Sequence, residues 1–403
     1  MEHHDRPMLT RVVLRNYKSI ASCDVKLGKL VWLVGANGSG KSNFLDALHL
    51  VRDSLTGSLD NALNERGGIS EVRRRSSGHP NHFGIRIELL LADSTAGYYA
   101  FNVGAMPNGA YEIQNEECVV GGIGKGPFFR LERGTLKDTS EHTFPSVTPD
   151  RLALVSASGL SAFRPVFDAL TSMGFYNLNP KLIRELQKPQ DGRLLKSAGE
   201  NIASVIGQLE RNGPEALNIV QEYLQTVVPT VHGVERVQVG PMETLSFRQN
   251  MAGAKHPWRF MAQNMSDGTL RALGVLVALF QGTKDYSPTL VGIEEPETAL
   301  HPAASSALRE ALFRASMHTQ IIVTSHSPDL LDDQGLSVDS ILAVVSEAGE
   351  TKIASLDRGS RQSLHDHLFS AGELLRLNQL VPDQLLLEEQ AMKQPDLFGE
   401  MTK

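Results

Sequence analysis

Residues 35–42 read Gly-Ala-Asn-Gly-Ser-Gly-Lys-Ser, directly after the apolar run Leu30 to Val34. Gly35, Gly38 and Gly40 leave room for backbone N–H groups to close around a phosphate chain, an approach that bulkier residues would block. Lys41 is placed to neutralise β and γ phosphate oxygens, and Ser42 offers a hydroxyl to Mg²⁺. Asn37 within the loop and Asn43 just beyond it complete the candidate ATP-binding set. Val31 to Val34 form a buried-type strand, while Phe44, Leu45, Leu48 and Val51 recur at helical spacing, so a helix opening near Gly40 would aim its positive end at the anion. The implied ligands are ATP and Mg²⁺.

A second set of chemical residues lies in the C-terminal half. The apolar strand Thr289 to Ile293 ends in Glu294-Glu295-Pro296. A carboxylate at a strand end can hold Mg²⁺ through water, the role assigned to Glu294, and Glu295 can act as the base that polarises the attacking water. A further strand, Gln320 to Val323, ends in Thr324-Ser325-His326-Ser327, with a helix, Pro302 to Met317, between the two. That order places both strand ends on one rim of a parallel sheet, where α/β folds bind ligands, and makes His326 a candidate γ-phosphate sensor. Asn264 to Thr269 precedes the apolar helix Leu270 to Phe280. Ser266 or Asp267 serves there as an N-cap, and a helix N-terminus with Ser and Gly can also receive phosphate.

The elements that must position these residues follow from periodicity. Val12 to Leu14 and Ile20 to Leu27 read as a strand pair leading into the loop. Ile85, Ile87, Leu89 and Leu91, then Tyr99, Phe101 and Val103, then Tyr111 and Ile113 alternate as antiparallel strands, with a turn at Asn108-Gly109. Helices are expected over Phe163 to Met173, Pro180 to Gln187, Asn201 to Arg211 and Glu215 to Val227, and strands over Val231 to Val239 and Glu243 to Arg248. The expected division is a lobe with the phosphate loop and antiparallel strands over 1–150, a helical insert over 151–230, a second lobe over 231–375 and a tail over 376–403. No heptad repeat is sustained, so no long coiled-coil arm is expected.

Composition narrows the classes. With 403 residues, 41% of them hydrophobic, the chain can bury a large core. Its formal net charge of −7 argues against coating nucleic acid by bulk charge. Arg73-Arg74-Arg75 is the densest basic patch and reads either as a solvated loop or as a contact to a DNA backbone. Only Cys23 and Cys118 are present, and the start of the chain is polar, which points to a reducing cytoplasm. The longest apolar stretch, Ala272 to Phe280, is too short to cross a bilayer, so no membrane partner is expected.

Together, Leu14-Arg15-Asn16-Tyr17-Lys18-Ser19-Ile20, Gly40-Lys41-Ser42-Asn43, Met265-Ser266-Asp267-Gly268, Glu294 to Pro302 and Thr324 to Pro328 resemble the ABC-type ATPase heads of the SMC, RecF and OLD-like group. The resemblance spans about residues 8 to 375 and implies an α/β P-loop NTPase head with an antiparallel β lobe, a parallel β lobe flanked by helices, and the helical insert. It implies a homodimer or higher oligomer in which two heads sandwich two ATP molecules. Ser266, Asp267 and Gly268 would then complete, in trans, the site built on Lys41, and Glu297 to His301 would touch the opposite site. Glu294 stands where most such heads have Asp. Tyr17 and Lys18 either approach the nucleotide or serve only the strand and its turn.

A standalone head of this kind, without the TOPRIM nuclease of OLD enzymes, resembles ATPase subunits that act with a separately encoded effector in phage defence. A RecF-like repair or replication ATPase acting on DNA, or a nucleotide-gated scaffold with little turnover, are the alternatives. The tail Gln394-Pro395-Asp396-Leu397-Phe398 resembles the peptide by which bacterial proteins dock on the sliding clamp; docking of Leu397 and Phe398 on the protein's own head is the other reading.

Overall fold

The structure, a computed structural model, describes residues 6–76, 80–122, 126–254, 256–283, 286–393 and 396–399. Chain contacts divide it into two compact units. The first comprises Met1–Met173, Ser337–Leu368 and Leu377–Lys403; the second comprises Gly174–Leu336 and Phe369–Arg376.

The first unit is built on a sheet whose strands run, in spatial order, Thr135–Thr139, Phe128–Glu132, Tyr111–Val120, Ala96–Ala105, His82–Leu90, Met8–Tyr17, Ile20–Lys26, Glu350–Ser355, Ile341–Glu347 and Leu30–Val34. The alternating run from residue 85 onward forms antiparallel neighbours, as its period demands. Register is pinned where Val12 faces Ile87 and Leu14 faces Ile85, all essentially without exposure, because a one-residue slip would turn each of them to the other face. Asn108 and Gly109 turn at φ 61° and 77°. The C-terminal strand Ile341–Glu347 lies parallel to Leu30–Val34, with Leu342 opposite Leu33. That pairing brings sequence-distant side chains to the phosphate loop. The helix Lys41–Thr56 buries Phe44, Leu45, Leu48 and Val51 against this unit's core.

In the second unit, Leu290–Glu294 is flanked by Gln320–Ser325 and Gly174–Tyr176, both parallel to it. Val231–Val239, Met242–Gln249 and Trp258–Met261 form a separate antiparallel sheet. The apolar run Leu270 to Leu279 is the buried body of the helix Asp267–Phe280. Several bounds differ from the periodicity reading. The helix expected to reach Gln187 ends at Arg184, because Gln187 instead makes a backbone bridge to Glu243. The helix expected to reach Met173 ends at Thr171, and the chain then enters the strand Gly174–Tyr176, too short to show a period. The helices of 151–230 consequently belong partly to the first unit and partly to the second. Among the described residues, no helix is long and apolar enough to cross a membrane.

Candidate functional site

In the first unit, residues 35–40 link the strand Leu30–Val34 to the helix beginning at Lys41. Gly40 sits at φ 99°, where an added Cβ would lie 1.9 Å from Thr351 Oγ1; at Gly35 it would lie 2.0 Å from Val344 O. The loop is therefore packed tightly on the C-terminal strand pair. Lys41 is 5% exposed and its Nζ donates to Gly35 O at 2.8 Å and Ala36 O at 2.9 Å. Asn37, Gly38 and Ser42 are exposed. Ser39 is 3% exposed, and its hydroxyl has no hydrogen-bond partner. A tight loop ahead of a helix, with a lysine folded across its carbonyls and an unspent buried hydroxyl, fits a phosphate chain.

The loop is fastened through Thr351, which no local motif flags. Thr351 Oγ1 donates to Ser39 O at 2.9 Å and meets Ser19 Oγ at 2.7 Å, and Ser19 Oγ accepts from Asn43 Nδ2 at 2.6 Å. Asn43, expected at the nucleotide, thus spends its amide on tying the helix to the turn at Ser19. The Tyr17 hydroxyl and Lys18 Nζ both reach Asp46, at 2.7 and 2.5 Å, alongside Arg66 at 2.8 Å. Burial alone would raise the Asp46 carboxyl, but Arg66, Lys18 and the tyrosine hydroxyl outweigh it and hold the pKa below its ordinary value.

The second unit carries the carboxylates. Glu294 lies opposite Thr324 in the parallel pair, so the two strand ends share a rim. The chain then turns sharply: Glu295 has φ 44°, and its N–H donates to Thr324 O at 3.0 Å and Oγ1 at 3.2 Å. His326 Nδ1 lies 3.1 Å from Glu295 Oε1, so the base and sensor picked out separately in the sequence form one pair. Their side chains are 36% and 38% exposed, open enough to meet a ligand. Glu297 Oε1 accepts from Ser325 Oγ at 2.6 Å and His326 N at 3.3 Å, while its Oε2 is buried without a partner. Its side chain therefore faces its own chain's His326, beyond the partner-facing role implied by the resemblance. The alternation Glu295-Pro296-Glu297 after a strand was the available signal.

Ser266 caps the helix Asp267–Phe280, its Oγ accepting from Thr269 N at 3.2 Å. Asp267 is ion-paired with Arg184, which also donates to Met265 O at 3.0 Å. Gly268 abuts the turn after the carboxylates, where an added Cβ would lie 2.5 Å from Ala299 O.

The two local features resolve simply. Arg74 pairs with Glu350 at 2.6 Å, Arg73 donates to Pro80 O at 2.9 Å, and Arg75 pairs with Glu71, so each arginine has an internal partner. Leu397 is 4% exposed and reaches into the notch left by Gly84, and Phe398 packs on Tyr98, Ala100 and Val119. Arg86 Nη1 donates to Leu397 O and Gly399 O at 3.1 and 3.2 Å. The tail thus docks on its own unit. Gln394 lies outside the described residues.

The fold is similar to solved SMC heads. It superposes on an Smc head bound to the C-terminal winged-helix domain of ScpA with a TM-score of 0.55 at 14% identity, covering 88% of this chain and 99% of that one. An Smc head from Pyrococcus furiosus bound to the C-terminal domain of ScpA gives 0.53 at 15% identity, covering 90% and 99%. The fold class is that of ABC/SMC-like P-loop ATPase heads. A family model described as "AAA domain, putative AbiEii toxin, Type IV TA system" matches residues 30–107 and 177–332, more than half of the chain, which belongs to that AAA_21 family. Over 95 residues it is also 38% identical to ABC transporter A family member 5 and 37% to member 4 of Arabidopsis thaliana, spans that make up 23% of this chain and 10% of each relative.

Proposed function

We propose that the chain hydrolyses ATP, and that ATP-driven pairing of two heads switches a separately encoded effector. The observation that carries the reading is the Glu295–His326 pair at 3.1 Å on a strand rim, in a chain whose loop is built for phosphate. Lys41 and the loop N–H groups would hold the phosphates, and Glu295, oriented by His326, would take a proton from the attacking water as its oxygen bonds to the γ phosphorus and ADP leaves.

Ser42 and Glu294 are hard oxygen donors suited to Mg²⁺, an ion commonly held by one or two protein oxygens together with substrate phosphates. When bound, Mg²⁺ would neutralise charge on the β and γ oxygens. Ser266 and Gly268 would meet the nucleotide of a second head.

An Smc head bound to a winged-helix domain of ScpA, and a family description that names a two-part toxin system, support control of a partner; the role in phage defence is proposed from the resemblance of the motifs alone. The sliding clamp forms no part of the reading, because Leu397 and Phe398 pack on the chain's own first unit, and DNA forms none because no observation calls for it.

The test is Glu295→Gln. Turnover should fall by roughly 10²–10⁴-fold, and ATP should trap dimers in sedimentation. Unchanged turnover would refute the catalytic part, and a protein that stays monomeric with ATP would refute the switch.

A further inference from the structure

Arg271 lies one turn into the helix capped by Ser266 and is the lone charge in its apolar body; it is 8% exposed. A guanidinium so placed is costly unless its donors are met. Its terminal nitrogens are met by backbone: Nη1 donates to Leu178 O at 2.6 Å, and Nη2 to Glu294 O at 3.2 Å and Glu295 O at 3.0 Å, while Nε is buried without a hydrogen-bond partner. Burial lowers its pKa, while Glu297, Glu295 and Glu294, in that order, counter the shift.

The carbonyls it holds belong to a strained turn. Glu295 at φ 44° and Ala299 at φ 64° both occupy the left-handed region, which is strained for such residues and persists only where the surroundings over-determine it. On the Glu295 peptide, Thr324 takes the N–H, and Thr298 N, at 3.1 Å, shares the carbonyl with Arg271. Gly268, on the same helix, packs against Ala299 O at the other end of the turn. One helix thus touches the turn at both ends, once through an arginine and once through a missing side chain.

We propose that Arg271 is the positioning residue for Glu295, clamping the Glu294 and Glu295 carbonyls so that the helix beginning at Ser266 and the turn carrying the base move as one piece. The inference rests on the reading of Glu295 as the base. Its consequence is that a ligand engaging Ser266 and Gly268 sets the aim of the carboxylate.

The test uses the full chain carrying Arg271→Met and Arg271→Lys, each with Glu295 and with Glu295→Gln. Arg271→Met should lower kcat by about 10–100-fold, the cost of misplacing a reacting group by around an ångström, with the Kd for a fluorescent ATP analogue and the melting temperature little changed. Arg271→Lys should recover part of the loss. In the Glu295→Gln background, Arg271→Met should add no further loss, because its effect passes through the missing carboxylate.

Wild-type kcat in Arg271→Met, or the same fold-loss in both backgrounds, overturns the proposal. Should Arg271→Met fail to fold, Arg271→Lys reads the same linkage: a kcat lowered at unchanged Kd, with no further loss in the Glu295→Gln background, supports it, and wild-type kcat overturns it. Failure of the base reading itself shows separately, as wild-type turnover in Glu295→Gln with Arg271 intact.

Discussion

The phosphate loop and the carboxylate turn solve opposite problems. In the loop, Lys41, Ser39 and Thr351 are all buried to within 5% of full burial, and the ties of Lys41 and Thr351 described above run to backbone carbonyls and a neighbouring hydroxyl. In the turn, Glu295 and His326 stay more than a third exposed, two residues sit at positive φ, and the hold comes from behind, through Thr324 and Arg271. A phosphate chain is recognised by fixed N–H groups, so rigidity and glycine serve the loop. A base must reach water and a reacting phosphorus, so its carboxylate stays open while its backbone is pinned. On the proposed function, the contrast separates binding from turnover.

Three changes probe that separation. The largest effect is expected for Lys41→Ala, which removes the cation and leaves Gly35 O and Ala36 O without their donor. A charged hydrogen bond is worth about 1.5–3 kcal/mol, so affinity for ATP should fall by roughly 10–150-fold in equilibrium binding, whereas Glu295→Gln should leave affinity intact.

Next is Gly40→Ala, which forces a Cβ into Thr351 at positive φ. It should cost about 2–3 kcal/mol in urea unfolding. Gly28→Ala, whose added Cβ would meet nothing within 4 Å, should stay within about 0.5 kcal/mol. Equal losses at the two sites would show that the loop is not the tightly packed element described.

The last is a pH effect belonging to the first unit. Glu116 accepts from Ala153 N, Leu154 N and the Tyr99 hydroxyl, yet burial outweighs these donors and pushes its carboxyl from 4.5 up to about 7. The folded chain therefore keeps a proton that the unfolded chain releases. The stabilisation is complete below pH 4.5 and is lost as pH rises through about 7. Within that window stability should fall by about 1.4 kcal/mol per pH unit, a slope that Glu116→Gln should flatten in urea titrations.

Much of the fold was legible because its signals are local. The alternation from Ile85 to Ile113 gave the antiparallel strands, and apolar runs bounded by glycine or glutamate gave the strands at 30–34 and 290–294. The short strand Gly174–Tyr176 was hidden, since three residues carry no period. At the site, Glu295 and His326 were visible as residues, but their pairing was not. Glu297's contact with His326, the redirection of Asn43 to Ser19, and the clamp by Arg271 were equally out of reach.

By itself the sequence determined the phosphate loop, the acidic strand end and the Ser266 cap, since each depends on backbone geometry within a few consecutive residues. Only the tertiary structure decided which side chains fasten them. Thr351 reaches Ser39 across 312 positions, and Arg86 reaches Leu397 across 311. Such contacts exist because parallel and antiparallel pairing within the sheet sets distant strands in one register, and that register is fixed by the burial of whole faces rather than by any local pattern.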